Sequence, residues 1–298
     1  MTPALWLVLA MLAFGWVARE RALLPESAPL VLNRLVLWLC LPALVLLKVH
    51  QWTPDASLLA LAAIPWLIAL AMMALVALAG RLFGLDRATT GCLMLLTMLG
   101  NTAFLGYPLV DSLLGPAALA DAVVYDQLGS FLILSLLAPL VVARYGHGER
   151  PPWPVLVKRV LTFPAFIAFV IALLPWPMPA ALSEILTTLA GMLVPLAMLS
   201  VGLQLRLKPA REDLGPLALG LGLKMGVSAA LGYGLAVGFG LSPATALTVM
   251  LQAAMPPMIT AGILAAEGGL APRLAAALVG WGLLLALLWL PLLVRWVG

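Results

Sequence analysis

Charge is what this chain has least of. Only 9% of its 298 residues are Asp, Glu, Lys or Arg, against ~25% in an ordinary soluble domain. With 64% hydrophobic residues and a mean hydropathy of +1.14, the chain cannot cover its own surface in water. Cysteine and histidine are equally scarce, at two each. Cys40 and Cys92 lie in apolar runs where a small buried thiol is expected, and His50 and His147 have no partner at metal-ligand spacing. No metal site, disulfide framework or cofactor is expected. A Gly-rich loop ending in Lys-Ser/Thr is missing, so nothing in this chain would cradle ATP. The sequence holds no HExxH motif and no Ser/His pair within the apolar runs, which argues against a membrane enzyme. The net charge of +4 comes without a basic patch interleaved with aromatics, so no nucleic-acid partner is expected.

Long apolar runs are abundant. A spanning helix needs ~20 mainly apolar residues, and the runs predict an all-α membrane protein of ten helices, over 3–18, 30–50, 57–80, 88–114, 118–143, 155–175, 180–205, 214–239, 243–266 and 270–296. Arg19 and Arg21 follow the first run rather than precede it, the wrong order for a cleaved signal. Lys and Arg then orient the bundle, since positive residues stay in cytoplasmic loops. Thirteen of the sixteen, from Arg19 and Arg21 through Arg144, Arg150, Lys158 and Arg159 to Arg206, Lys208, Arg211 and Arg273, fall on one side. Both termini are therefore expected outside, with loop 145–154 inside and the chain in the inner (plasma) membrane.

Ten divides into two groups of five, and an odd number per half inverts the second half. Pro42 and Pro195 stand in the second and seventh helices, and Pro108 and Pro256 in the fourth and ninth, 153 and 148 positions apart. These offsets predict two inverted repeats, 1–144 and 155–298. Transporters built this way bind substrate where corresponding helices of the two halves are interrupted.

The stretch Gly100-Asn-Thr-Ala-Phe-Leu-Gly-Tyr-Pro108 marks such an interruption. Pro108 has no N–H and disfavours the helical ladder one turn back, leaving acceptors near residues 104 and 105 without partners. Irregular backbone survives in a bilayer only when it is buried in protein or lines a polar cavity. Carbonyl ends of half-helices attract cations and amide ends attract anions. Two crossed, broken helices would thus form a carboxylate pocket. The candidate substrate-binding set is Asn101, Thr102, Gly106, Tyr107 and Pro108, with Gln252, Pro256 and Pro257 from the ninth helix. Asp126 lies ~12 Å into the fifth helix, where a carboxylate is expensive and by default functional. With Gln127, and with Lys224 of the eighth helix, it forms the candidate coupling set for H⁺ or Na⁺. The long stem of Lys224 also permits snorkelling to the cytoplasmic boundary.

The segments "GNTAFLGYPL", "LPALVLLKV", "PLAMLSVGLQL" and "MLQAAMPP" resemble the auxin efflux carrier family, which includes bacterial carriers named as malate or malonate permeases. The resemblance implies crossed fourth and ninth helices, outward termini and often a homodimer. The long cytoplasmic loop of some plant members is replaced by about eleven residues. Taken together, the expected function is a secondary carrier for a small organic anion within the lipid bilayer. A membrane-embedded ligand sensor without translocation is the alternative.

Overall fold

The computed structural model describes residues 3–50, 57–147, 150–205 and 213–297. These residues form helices and no strand; the one β-type pairing is an isolated antiparallel bridge between Gly100 and Pro257. We number the helices α1 (Pro3–Glu20), α2 (Ala28–His50), α3 (Ser57–Leu82), α4 (Arg87–Met98), α5 (Gly106–Leu114), α6 (Pro116–Tyr145), α7 (Trp153–Leu161), α8 (Pro164–Ala172), α9 (Ala180–Gln204), α10 (Leu214–Gly238), α11 (Pro243–Ala253), α12 (Ile259–Glu267) and α13 (Pro272–Val297).

Six of these, α2, α3, α6, α9, α10 and α13, are long and apolar enough to cross a membrane. A seventh span is possible if α7 and α8, bent by 62° at their junction, count as one. The sequence reading made 155–175 one helix, with no more than a kink at Pro164. Pro164 explains the bend, because the residue before a proline is driven from helical geometry, and Phe163 is extended at φ −77°, ψ 123°. The stretches 88–114 and 243–266 are each cut into two short helices, none longer than 12 residues. At 1.5 Å per residue such a piece reaches ~18 Å, short of a ~30 Å core.

Two packing groups frame the interruptions. In one, α1 lies along the C-terminal half of α9, and α8 along the C-terminal half of α2. Gly15 and Gly202 make the first contact possible: a Cβ on Gly15 would stand 2.5 Å from the Leu199 carbonyl oxygen. In the other group α3 packs on α4 and α10, α10 on α11, and α13 on α12 and α4. Trp66 ties this second group to α6, and Trp289 fastens it internally. Helices α6 and α10 each widen into a π-helical turn, Asp126–Ser130 and Gly222–Val227, and such a turn leaves carbonyls without their usual helical donors. Trp66 Nε1 donates to Leu128 O at 2.8 Å, and Trp289 Nε1 to Met225 O at 3.0 Å.

Candidate functional site at two interrupted helices

The chain leaves helical geometry between Met98 and Gly106 and again between Ala253 and Ile259, and the two breaks meet backbone to backbone. Asn101 N donates to Pro256 O at 2.8 Å, and Met258 N to Leu99 O at 3.0 Å. Within the first break Thr102 N reaches Gly100 O and Gly106 N reaches Asn101 O, both at 2.9 Å. Gln252 Nε2 donates to Thr102 O at 3.3 Å and to Ala122 O at 3.1 Å. Buried polar backbone must be paired to survive, and these bonds do much of that pairing.

Pro108 works differently from the sequence expectation. The break lies before it, over residues 99–105, and Pro108 occupies the first turn of α5; Tyr107 N reaches Ala103 O at 3.3 Å, so of the two acceptors expected to lose a partner Phe104 O is the one that Pro108 cannot serve. Leu105 O is not left open; it accepts from Leu109 N at 3.1 Å. Gly106 is already helical, and its lack of a side chain serves close approach: a Cβ there would stand 2.4 Å from Gln252 Oε1.

Asp126 is 3% exposed, fully inside the protein. Three donors hold its carboxylate: Thr102 Oγ1, Tyr107 OH at 2.8 Å and Gln127 Nε2 at 2.9 Å. Thr102 precedes α5 and Tyr107 stands in its first turn, so the carboxylate is tied to the amide end of that helix, the end that favours negative charge. Lys224, also 3% exposed, points elsewhere. Its Nζ donates to Ala253 O at 2.7 Å, at the carbonyl end of α11, and lies against Gly100, whose Cβ would be 3.1 Å away. The snorkelling expected from its long stem does not occur, because that carbonyl is within reach inside the bundle. Among the described residues no ion pair joins Lys224 to Asp126; the one found is Arg19 with Glu20.

Beside the crossing lies a cavity of about 90 Å³, several times the ~10–15 Å³ that one water needs. Asn101, Asp126 and Gln127 line it, together with Asn33 of α2 and Ile259 and Thr260 of α12. The rest of the wall is apolar, including Phe104, Phe131 and Phe163, of which Phe131 and Phe163 stack at 4.3 Å. Asn101 Nδ2 and Gln127 Oε1 are buried without a hydrogen-bond partner. The first-turn amides of α12 have no partner within their helix.

Of the residues expected from sequence, the structure therefore gathers Asn101, Asp126 and Gln127 at one cavity and sets Thr102, Tyr107, Gly106 and Gln252 immediately behind it. Pro256 and Pro257 lie opposite the first break, Pro256 O accepting from Asn101 N and Pro257 bridged to Gly100. Lys224 and Pro108 do not line the cavity. Asn33 and Thr260 do, and sequence reasoning passed over both. A polar residue one position before Arg34 reads as helix-end decoration, and Thr260 carries no signal beyond its place just after Pro-Pro-Met-Ile.

A cavity at two apposed helix breaks, inside an all-helical apolar bundle, is the setting of a membrane carrier. The chain belongs to the membrane transport protein family. The match to that family covers residues 1–150 and 155–294, and it is the family of auxin efflux carriers that the four sequence segments resembled. An uncharacterized transporter of Methanothermobacter thermautotrophicus is 28% identical over 290 residues, covering 96% of this chain and 94% of the relative. An uncharacterized transporter of Methanocaldococcus jannaschii is 28% identical over 254 residues, covering 82% of this chain and 77% of the relative. This family member is a multi-pass membrane transport protein in contact with the lipid bilayer.

Proposed function

We propose that this transporter is a secondary active carrier for a small organic anion of the carboxylate class, with its site at the apposed breaks. The observation that carries the reading is the unpartnered Asn101 Nδ2, buried at a cavity that also receives the first turn of α12. Hydrogen-bond donors left open at a helix amide end suit an anion. The aromatic and aliphatic wall suits a carbon skeleton. Gln127 Oε1, buried without a partner beside the same cavity, would accept from a hydroxyl or acid proton of the substrate.

Coupling is assigned to Asp126, the buried carboxylate beside that cavity, through a proton or sodium gradient; movement of a net-charged substrate would also respond to the membrane potential. Intramembrane carboxylates facing a cavity serve such roles. Lys224 neutralises the carbonyl end of α11 rather than pairing with Asp126. Family membership favours a carrier over an enzyme, and a carrier over a sensor that binds without translocation.

The organisation proposed for this function is two inverted repeats, 1–144 and 155–298, joined by loop 145–154, giving ten spans of which two are interrupted. Helix contacts support it, because they occur in matched pairs when the halves are exchanged: α1 on α9 with α8 on α2, α3 on α4 with α10 on α11, and α4 on α13 with α11 on α6. The caps match too. Asp86 accepts from Thr89 N at 2.9 Å to start α4, and Ser242 from Thr245 N at 3.1 Å to start α11. An alternating-access mechanism, an inner-membrane location with outward termini and a homodimer complete the proposal. Of the charges behind that orientation, Arg206, Lys208 and Arg211 lie outside the described residues, as do 1–2 and 298 at the termini.

Uptake into proteoliposomes of labelled acetate, lactate, malonate and malate, with imposed proton, sodium or potential gradients, tests the reading. Gradient-dependent accumulation of at least one is the expected result. No accumulation of any of them by monodisperse, reconstituted protein would contradict it.

A further inference from the structure

Asn33 is a polar wall of the cavity that the proposed site does not yet use. It stands on α2, in a different packing group from the crossing, and its amide is oriented by a chain of hydrogen bonds. Gln204 Nε2 donates to Ser200 Oγ at 3.1 Å and to Ser200 O at 3.0 Å. Ser200 Oγ donates to Asn33 Oδ1 at 2.6 Å, a much closer partner than its other acceptor, Pro29 O at 3.4 Å. A hydroxyl has one proton. Here Gln204 fills an acceptor site of Ser200, and the Ser200 proton goes to the Asn33 carbonyl oxygen. The oxygen end of Asn33 is thereby held against α9, and its NH₂ end makes no hydrogen bond with the described residues.

The same cavity is lined by Asn101, whose Nδ2 is buried and partnerless, and by the first turn of α12. Donor-bearing residues from three elements thus line one space. The carboxylate of Asp126 already accepts from Thr102, Tyr107 and Gln127. What these donors lack is an acceptor with several lone pairs, and a substrate carboxylate supplies four.

We propose that Asn33 is a substrate-binding residue that donates its Nδ2 hydrogen bond to the carboxylate of the transported anion, and that Ser200 and Gln204 are positioning residues that keep this NH₂ end turned to the cavity. The assignment rests on the reading of the cavity as an anion site. The anion is then held by α2 and by the crossing together, so it bridges the two packing groups and is released only when one of them withdraws its donors.

The test measures the KM for uptake in proteoliposomes, using as probe whichever of labelled acetate, lactate, malonate and malate the unsubstituted protein accumulates fastest. Asn33→Ala is expected to raise KM by ~10- to 150-fold, the range for a hydrogen bond to a charged group. Ser200→Ala, which frees the amide to turn, is expected to raise it by ~2- to 13-fold, the range for a neutral hydrogen bond. Asn33→Asp supplies a readout that a merely structural role would not move. At pH 7 its carboxylate repels the anion, and as pH falls toward ~4 it gains a proton to donate. The KM ratio of this variant to the unsubstituted protein should fall with pH; Asp126, the titratable group lining the same cavity, is present in both proteins.

If Asn33→Ala does not fold, monodisperse Asn33→Asp and Ser200→Ala carry the test. Unchanged KM in every folded variant, with transport by the unsubstituted protein intact, would overturn the role of Asn33 and leave the carrier reading standing. Absence of uptake by the unsubstituted protein would overturn both.

Discussion

The two helix breaks meet the same demand with opposite charges. At the first, residues 99–105 include the polar Asn101 and Thr102, and the group set behind them is a carboxylate, Asp126, tied through Thr102 and Tyr107 to the amide end of α5. At the second, Ala254-Met-Pro-Pro-Met258 offers no polar side chain, and the charged group is the ammonium of Lys224, bonded to the carbonyl end of α11. Each charge sits at the helix end whose dipole favours it. Of these two charges the carboxylate lines the cavity, and its break carries a buried side-chain donor without a partner, Asn101 Nδ2. On the proposed function, this difference makes the first a working break and the second a bracing one.

The largest effect should come from removing the charge of the working break. Asp126→Asn keeps the shape of the side chain and removes its titration, so gradient-driven accumulation is expected to vanish while the protein remains monodisperse. Accumulation equal to the unsubstituted protein, under proton and sodium gradients alike, would take coupling away from this residue. Lys224→Met tests the bracing break. It leaves Ala253 O without its donor, a loss of ~1–3 kcal/mol, visible in thermal unfolding in detergent, while uptake per folded molecule should persist. Loss of uptake in a fully stable Lys224→Met protein would erase the distinction between the breaks.

A smaller effect is expected from Gly106→Ala. Its Cβ would enter the space of Gln252 Oε1, the far end of a flexible side chain, so the amide must shift and give up bonds to Thr102 O and Ala122 O. Uptake should fall several-fold and recover when Gln252→Ser is added, a cycle that measures coupling between the two breaks.

The smallest concerns the caps. Hydrogen bonds from Thr89 hold the Asp86 carboxyl below the usual carboxylate range, whereas Ser242 does not titrate. Because the folded pKa of Asp86 is depressed, its contribution is present above the unfolded value of ~3.9 and is lost as pH falls through the folded value. Asp86→Ala and Ser242→Ala should each cost ~1 kcal/mol at pH 7. Lowering the pH below ~4 should shrink the Asp86 difference and leave the Ser242 difference unchanged.

How far the sequence could be read follows from what each residue does to its surroundings. Helix breakers and an amide within an apolar run had to lie inside the protein, which made the stretch from Gly100 to Pro108 legible. Asp126 stood out for the same reason, as a charge where lipid would otherwise be. The partner of Lys224 was not legible, since a long side chain can reach either a boundary or a nearby carbonyl and only the position of α11 decides. Nor was the 62° bend at Pro164, because most prolines in membrane helices merely kink them. Asn33 was hidden because its role depends on Ser200, which is remote in sequence and adjacent only after α2 and α9 pack.

The most direct test of the claim that an organic anion occupies the working break uses Thr260, an exposed residue on the wall of the cavity. In a background with Cys40→Ala and Cys92→Ala, Thr260→Cys is placed where a thiol reagent can reach it, and its modification rate is measured with and without saturating acetate, lactate, malonate and malate. The account predicts that the carboxylate accumulated by the transporter slows modification strongly, while a control cysteine at Thr187, exposed on α9, is modified at an unchanged rate. Equal rates at Thr260→Cys with and without a carboxylate that the same protein transports would contradict it, and would move the anion to another site.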